Sequence, residues 1–149
     1  SNQSTESHGL KKVWYAPHTF EAYGEEEIEA VEKCLRRGWL APGALTAEFE
    51  SRVATYFGKK CGVMVNSGSS ANLIGLAVFG LTKDDEIVTP ACTFSTCIAP
   101  MEQLGLKPVF VDVEVGRYVP SNEAILAAVT PKTKMLFIPN LIGSKVDWE

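Results

Sequence analysis

The sequence predicts an α/β fold in which helices flank a mostly parallel β-sheet. The chain has 149 residues, of which 46% are hydrophobic and 21% are charged, typical of a globular domain that is large enough to bury a core. After Gly58, short apolar runs rich in β-branched residues alternate with helical patterns, and this alternation indicates βαβ units. The strand candidates are Cys61–Val65, Glu86–Thr89, Pro108–Val113 and Lys134–Pro139.

Two helices are predicted before this alternating region. The first covers Glu25–Arg37, because acidic residues fill its first turn, arginines end it, and Gly38 follows as a stop signal. The second covers Thr46–Phe57, where apolar residues recur at helical spacing and Gly58 ends the pattern. The loop between the two helices contains Trp39.

Three more helices are predicted between the strands, at Ser70–Phe79, Ser95–Leu104 and Ser121–Val129. The first of them is apolar on nearly every side, so we expect it to be buried. The last strand has no helix after it, and the sheet has no evident finishing element. We therefore expect residues 13–149 to be part of a larger domain, and residues 1–12 to be a flexible tail or one added for expression.

Composition and charge argue against several classes of function. The net charge is −4 and no basic stripe occurs, which argues against a nucleic-acid partner. No apolar run is long enough to cross a membrane. The four cysteines lack the spacing of metal ligands, and we expect them to be reduced and structural in the cytoplasm.

The turn after the first predicted strand contains Ser67, Gly68, Ser69 and Ser70 and opens a helix. In open α/β sheets, ligands bind beyond the carboxyl ends of the strands, and a helix N-terminus there presents free N–H groups to a phosphate. Gly68 lets the backbone come close, and the serines add hydroxyl donors. A capped helix start explains the serines equally well, so these residues alone leave both interpretations open.

Other residues follow the later strands at the same edge of the predicted sheet. Phe94 follows the second strand in a small, polar setting, where it can stack on a flat ring or simply pack into the core. Asp112 ends the third strand, either as a carboxylate at this edge or as a solvated residue. Asn140 follows the fourth strand and can offer an amide to a ligand.

Three stretches of the chain carry a resemblance to a known family. They read GWLAPGALTAEFESRVATYFG, VMVNSGSSANLIGLAVFG and DEIVTPACTFSTCIAPMEQLGLKPVFVDVEVGRYVPSNEAILAAVTPKTKMLFIPNLIG. In this order and spacing they resemble the N-terminal part of the DegT/DnrJ/EryC1/StrS sugar aminotransferases. The resemblance implies an incomplete large domain of the aspartate-aminotransferase-like fold, known as fold type I of pyridoxal-phosphate (PLP) enzymes.

The resemblance also implies a cofactor and residues that bind it. Members of the family bind PLP or pyridoxamine phosphate (PMP). Gly68, Ser69 and Ser70 match the segment that holds the cofactor phosphate, and Phe94 matches the aromatic residue that stacks on the pyridine ring. Asn140 is a further candidate for contact with the cofactor.

Substrates and partners follow from the same resemblance. Family members act on nucleotide-linked keto-sugars with an amino donor, usually as homodimers, in pathways of polysaccharide or antibiotic biosynthesis. The segment with Trp39, Pro42 and Gly43 resembles the part that helps to form the sugar-nucleotide pocket. A buried anchor role explains Trp39 equally well. Within the family fold, the strand at Cys61–Val65 lies apart from the other three strands, so we expect the isolated chain to leave apolar surface uncovered and to self-associate.

No catalytic residue is assigned in this chain. The Schiff-base lysine of the family, and the aspartate that pairs with the pyridine nitrogen, are expected beyond Glu149, and Lys145 matches a position that is not catalytic. We therefore expect the chain alone to bind cofactor weakly and to be inactive. The predicted function is nucleotide-sugar transamination. One alternative is PMP-dependent 3-dehydration of a 4-keto-6-deoxy sugar, favoured by the sequence Asn140–Gly143, and another is a non-catalytic cofactor-binding remnant or interaction module.

Overall fold

A computed structural model of the protein describes residues 23–148, which form two compact units divided in sequence between Gly62 and Val63. The tail predicted at residues 1–12, and residues 13–22 of the predicted domain, lie outside the described part. No helix among residues 23–148 has both the length and the apolar composition that crossing a membrane requires.

Helix α1 of the first unit spans Glu25–Arg37, as predicted. The N–H of Gly24 donates to the Glu27 carboxylate at 2.7 Å, and this bond lowers the pKa of Glu27. Gly38 ends the helix with φ of 68°, in the left-handed region that glycine adopts without a steric cost. The local signals for this helix therefore determine both of its ends.

Helix α2 of the first unit spans Ala44–Tyr56 and begins earlier than predicted, with Gly43 as its N-cap. Its buried residue is Ala54, whereas α1 has none. Both helices carry apolar side chains that are exposed in the part of the chain that the structure describes: Ile28, Val31, Leu35, Leu45, Phe49, Val53 and Tyr56.

The second unit alternates helices and strands. Its elements are α3 (Gly68–Ala77), β1 (Glu86–Pro90), α4 (Ser95–Gln103), β2 (Lys107–Val111), α5 (Asn122–Ala128), β3 (Thr133–Leu136) and a 3₁₀ turn (Leu141–Gly143). The predicted order of helices and strands from α3 onward is confirmed, with shifts of one to three residues at most of the ends.

The strand predicted at Cys61–Val65 is wrong: these residues form no strand in the structure. The sheet contains only β1, β2 and β3 within residues 23–148. A β-branched apolar run becomes a strand only when a neighbouring strand supplies partners for its N–H and C=O groups. No strand of residues 23–148 pairs with this run.

The three strands form a parallel sheet in the order β2-β1-β3. The central strand β1 is buried at all five positions. The pairing of β1 with β3 continues past Leu136, because the N–H of Phe137 donates to the carbonyl of Val88 at 2.9 Å. The carboxyl ends of β1 and β3 therefore lie side by side.

Apolar side chains pack into two clusters in this unit. One contains Leu76, Ile87, Met101 and Leu106, with Phe137 packed against it, and thus joins α3 and α4 to the sheet. The other contains Val119, Ile125 and Val146, with Ile138 packed against it. Phe137 and Ile138 are consecutive and belong to different clusters, as expected where adjacent side chains of an extended segment point to opposite faces.

The predicted burial of the helix now labelled α3 is wrong. Leu76 is its buried residue, whereas Ile74, Val78 and Phe79 are exposed at or beyond its C-terminal half. The neighbours of α3 in the described residues are α4 and the sheet, which pack against one of its sides. An apolar sequence on all sides of a helix shows which surface can be buried, but only neighbouring elements bury it.

A buried carboxylate joins the amino ends of the strands. Glu86 is 5% exposed and accepts hydrogen bonds from Lys107 Nζ at 2.8 Å and from Thr130 Oγ1 at 2.6 Å. The bond from Lys107, and then the bond from Thr130, lower the pKa of Glu86. A buried charge needs such partners, and this network ties the start of β1 to the start of β2 and to the segment before β3.

Candidate functional site

A cavity of about 620 Å³ lies beyond the carboxyl ends of β1 and β3. The first turns of α3 and α4 form one side of it, through Gly68, Ser69, Phe94 and Thr96, and the end of β3 and the residues after it form the other. Three of the predicted site residues (Gly68, Ser69 and Phe94) therefore come together in one cavity.

The N-terminus of α3 presents backbone donors to this cavity. Ser67 is the N-cap, and its Oγ accepts a hydrogen bond from the N–H of Ser70 at 3.1 Å. Helix geometry leaves the N–H groups of Gly68 and Ser69 without an acceptor in the helix, at the positive end of the helix dipole. A Cβ added at Gly68 meets no atom within 4 Å, so open space lies beside this residue.

Ser70 is placed differently from Ser69. Its Oγ donates to Asn66 Oδ1 at 2.6 Å, and it lines a smaller cavity between α3 and α4. The hydroxyl of Ser70 thus contributes to the turn that begins the helix, and its contact with a cofactor phosphate stays a prediction.

Phe94 is the N-cap residue of α4 and is 51% exposed. It is therefore not a core residue, which was the alternative that the sequence left open. An aromatic ring half-exposed in a cavity offers a face on which a flat ligand can stack.

Sequence reasoning missed Asn72 and Thr96, which also line the cavity. Asn72 Nδ2 donates to the carbonyl oxygen of Thr96 at 3.2 Å and so joins α3 to α4. The signal that was available is a single amide side chain within an otherwise apolar helix.

Only some of the residues after β3 line the cavity. Pro139 lines the cavity, whereas Asn140 is exposed and does not belong to the lining. Ile142 has φ of 53°, a strained conformation for a β-branched residue. The predicted contact of Asn140 with a ligand is not tested by this placement.

Two threonine hydroxyls near the cavity are buried without a partner. Thr89 Oγ1 and Thr93 Oγ1 have no hydrogen bond among the residues that the structure describes. Thr89 lies within β1, and Thr93 lies directly before Phe94. A buried hydroxyl without a partner costs stability.

The electrostatics of the cavity come from the backbone. Of the residues in the described part that line it, none carries a charged side chain. Nor do residues 23–148 contain a group of three His, Cys, Asp or Glu side chains that could hold a metal ion. An anion bound there would be stabilised chiefly by the N–H groups and dipole of α3.

A second cavity, of about 580 Å³, lies within the first unit and is lined in part by Arg37, Trp39 and Gly43. Trp39 is 68% exposed, so it is not a buried anchor. Its Nε1 donates to the carbonyl of Pro42 at 3.3 Å. A Cβ at Gly43 would lie 2.6 Å from this nitrogen, so glycine is required for the observed position of the indole.

The sequence matches the model of the DegT/DnrJ/EryC1/StrS aminotransferase family over residues 21–149. The chain belongs to this family. This DegT/DnrJ/EryC1/StrS chain is 32% identical over 139 residues to a GDP-4-keto-6-deoxy-D-mannose 3-dehydratase of Yersinia pseudotuberculosis, covering 89% of the chain and 35% of the relative. It is 33% identical over 135 residues to a dTDP-3-amino-3,4,6-trideoxy-alpha-D-glucose transaminase of Micromonospora megalomicea, covering 91% of the chain and 36% of the relative.

Solved structures of the family agree with the fold. The structure of Escherichia coli GDP-4-keto-6-deoxy-D-mannose-3-dehydratase with bound hydrated PLP is 34% identical, with a TM-score of 0.73 over 80% of this chain and 32% of that one. The predicted aminotransferase-type α/β fold with a parallel sheet is therefore confirmed. This DegT/DnrJ/EryC1/StrS chain spans about a third of the length of the relatives that it matches.

Proposed function

We propose that this chain forms the phosphate-binding and ring-stacking side of a PLP or PMP site in a nucleotide-sugar aminotransferase. The observation that carries the proposal is the cavity in which the free N–H groups of α3 face the same space as the half-exposed ring of Phe94. A phosphorylated aromatic cofactor needs both features, and a simple phosphate site needs only the first.

The residues that line the cavity would bind two parts of such a cofactor, its phosphate and its ring. The N–H groups of Gly68 and Ser69 would hold the phosphate, and the face of Phe94 would set the tilt of the ring. The bound cofactor supplies an electron sink, and these residues supply position and orientation. No lysine of the described residues lines the cavity, so we assign binding to them and not proton transfer.

The segment around Trp39 is our proposed contact for the nucleotide-linked sugar. Its cavity combines an exposed indole face with the cation of Arg37, and a nucleoside diphosphate offers a flat base and a negative charge to such a pair. Trp39 and Gly43 line this cavity, whereas Pro42 contributes by accepting the indole hydrogen bond.

A second candidate is PMP-dependent 3-dehydration of a 4-keto-6-deoxy sugar. Three of the relatives carry the name 3-dehydratase, at 32–38% identity. The family resemblance implies that the two activities differ at one position expected beyond Glu149, which is a lysine in aminotransferases and a histidine in dehydratases. Reading the gene beyond the codon for Glu149 therefore decides between them, and a stop codon there would contradict both activities for this chain.

The binding proposal is tested by titrating the chain with PMP, which does not condense with surface lysines as PLP does. We expect saturable binding that Phe94→Leu weakens about three- to tenfold, because the aromatic stacking is lost. Phe79→Leu is the matched control: Phe79 is exposed two residues after the end of α3 and lines a different cavity. Absence of saturable binding, or equal affinities for all three proteins, would contradict the proposal.

We also propose that the chain associates with a second copy of itself and is located in the cytoplasm. The exposed apolar side chains of α1 and α2 support the association, because contiguous apolar surface is rare on monomers. The free state of all four cysteines, each within the described residues, supports a reducing compartment. Light scattering tests the association, and a monomer over a wide range of concentration would contradict it.

A further inference from the structure

Helix α4 contains a proline where an internal hydrogen bond would normally form. Pro100 has no N–H, so it cannot donate to the carbonyl oxygen of Thr96, four residues earlier. Helix geometry therefore leaves this carbonyl without its usual partner, in the turn that follows Phe94. A donor from outside the helix, from a side chain or from water, can take the place of the missing bond.

Asn72 supplies that donor from α3. Its Nδ2 lies 3.2 Å from the carbonyl oxygen of Thr96 and 3.8 Å from the sulfur of Cys97. The carbonyl only accepts hydrogen bonds, so the nitrogen end of the amide must face it. The bond joins two helices 24 residues apart in sequence.

The bond lies at the edge of the candidate cofactor cavity. Asn72 lies three positions after Ser69 and on the same side of α3, and Thr96 lies two positions after Phe94. All four residues line the cavity. Leu76 of α3 and Met101 of α4 belong to one apolar cluster, and apolar contacts are not directional. A directed hydrogen bond, by contrast, can fix the offset between the two helix starts.

We propose that Asn72 is a positioning residue for the cofactor: it holds the N–H groups at the start of α3 and the ring of Phe94 at the separation that one phosphorylated aromatic molecule spans. This inference rests on the proposed function. Asn72 itself need not touch the cofactor, because it acts through the relative position of two elements that do.

Asn72 could instead have a purely structural role. Replacing Pro100 distinguishes that role from the positioning role. If Asn72 only satisfies the carbonyl of Thr96, Pro100→Ala makes it dispensable, because the backbone N–H that this substitution restores donates the missing helix bond. If Asn72 positions the two helices, its removal has the same effect whether or not Pro100 is replaced. The comparison is a double-mutant cycle of Asn72→Ala and Pro100→Ala.

The experiment measures the binding of two probes, inorganic phosphate and PMP, to the four proteins of this cycle. The dissociation constants are obtained by calorimetry, and the circular dichroism of bound PMP reports the orientation of its ring. We expect Asn72→Ala to change phosphate affinity less than about twofold. We expect it to weaken PMP about three- to tenfold in both backgrounds, with a reduced dichroic signal.

Three results would overturn the inference while leaving the proposed function intact. They are unchanged PMP affinity in Asn72→Ala, an effect that disappears in the Pro100→Ala background, or a parallel loss of phosphate affinity. Absence of PMP binding to the unaltered chain would instead remove the proposed function, and this inference with it.

Discussion

The substitution Gly68→Ala separates cofactor binding from folding at the same helix. A Cβ at Gly68 meets no protein atom within 4 Å, and Gly68 lines the candidate cavity. The added methyl group therefore causes no clash within the chain, but it takes up space next to the N–H groups that would hold the phosphate. We expect a protein that folds normally and binds PMP poorly.

The magnitude follows from the hydrogen bonds involved. A hydrogen bond to a charged group contributes about 1.5–3 kcal/mol, so displacing the phosphate from one N–H lowers the affinity about 10- to 150-fold. Alanine also favours the helix over glycine, by up to about 0.5–1 kcal/mol in a helix interior and less in the first turn. The stability of the variant is therefore expected to equal or exceed that of the unaltered chain.

Gly75→Ala is the matched control. Gly75 lies within the same helix, a Cβ there also meets no atom within 4 Å, and the residue does not line the cavity. We expect it to raise stability by about 0.5–1 kcal/mol without changing PMP affinity. PMP is titrated by calorimetry, and stability is measured by urea unfolding. A Gly68→Ala protein that binds PMP as tightly as the Gly75→Ala protein would refute the placement of the phosphate at α3.

Three further predictions concern the buried residues Thr89 and Glu86 and the loop that contains Trp39. Thr89→Val removes a buried hydroxyl that has no partner in the described residues, and we expect it to raise the free energy of unfolding by about 1 kcal/mol. If urea titration instead gives a lower free energy of unfolding, the hydroxyl is hydrogen-bonded. The folded-state pKa of Glu86 is lowered, so its ion pair with Lys107 stabilises the fold above the ordinary pKa of 4.5, and this contribution is lost as pH falls through the lower folded-state value. The stability difference between the unaltered chain and Glu86→Gln is therefore expected to shrink below about pH 4.5, and a difference that is independent of pH would contradict this. Gly43→Ala places a Cβ 2.6 Å from Trp39 Nε1 and must displace the indole, so we expect calorimetry to show weaker binding of GDP or dTDP. Unchanged affinity, or no binding to the unaltered chain, would count against a substrate role for the loop that contains Trp39.

Elements with strong local signals were predictable from the sequence. Helix α1 has its predicted ends because acidic and basic residues complement its dipole and Gly38 adopts a left-handed conformation. The phosphate-site hypothesis was also accessible, since Ser67 caps α3 by accepting a hydrogen bond from the N–H of Ser70, three positions later. Such signals depend on residues within one turn of one another.

The burial of the apolar runs was not predictable in the same way. Residues 61–65 have the composition of a strand and the outer face of α3 that of a buried helix, but within residues 23–148 no strand pairs with the first and the second stays exposed. Pairing and burial depend on a second segment, and its position is a property of the whole fold.

Local sequence signals were sufficient to predict that the chain alternates helices and strands, that a Ser/Gly turn opens α3, and that Phe94 follows a strand end in a polar setting. They were sufficient because helix caps, periodicity and turn chemistry act over a few residues. Only the folded chain shows that Gly68, Ser69 and Phe94 share one cavity. The same holds for Asn72, which replaces the bond that Pro100 cannot make. Both facts join groups about 25 residues apart, and only the packing of α3 and α4 on the sheet brings such groups together.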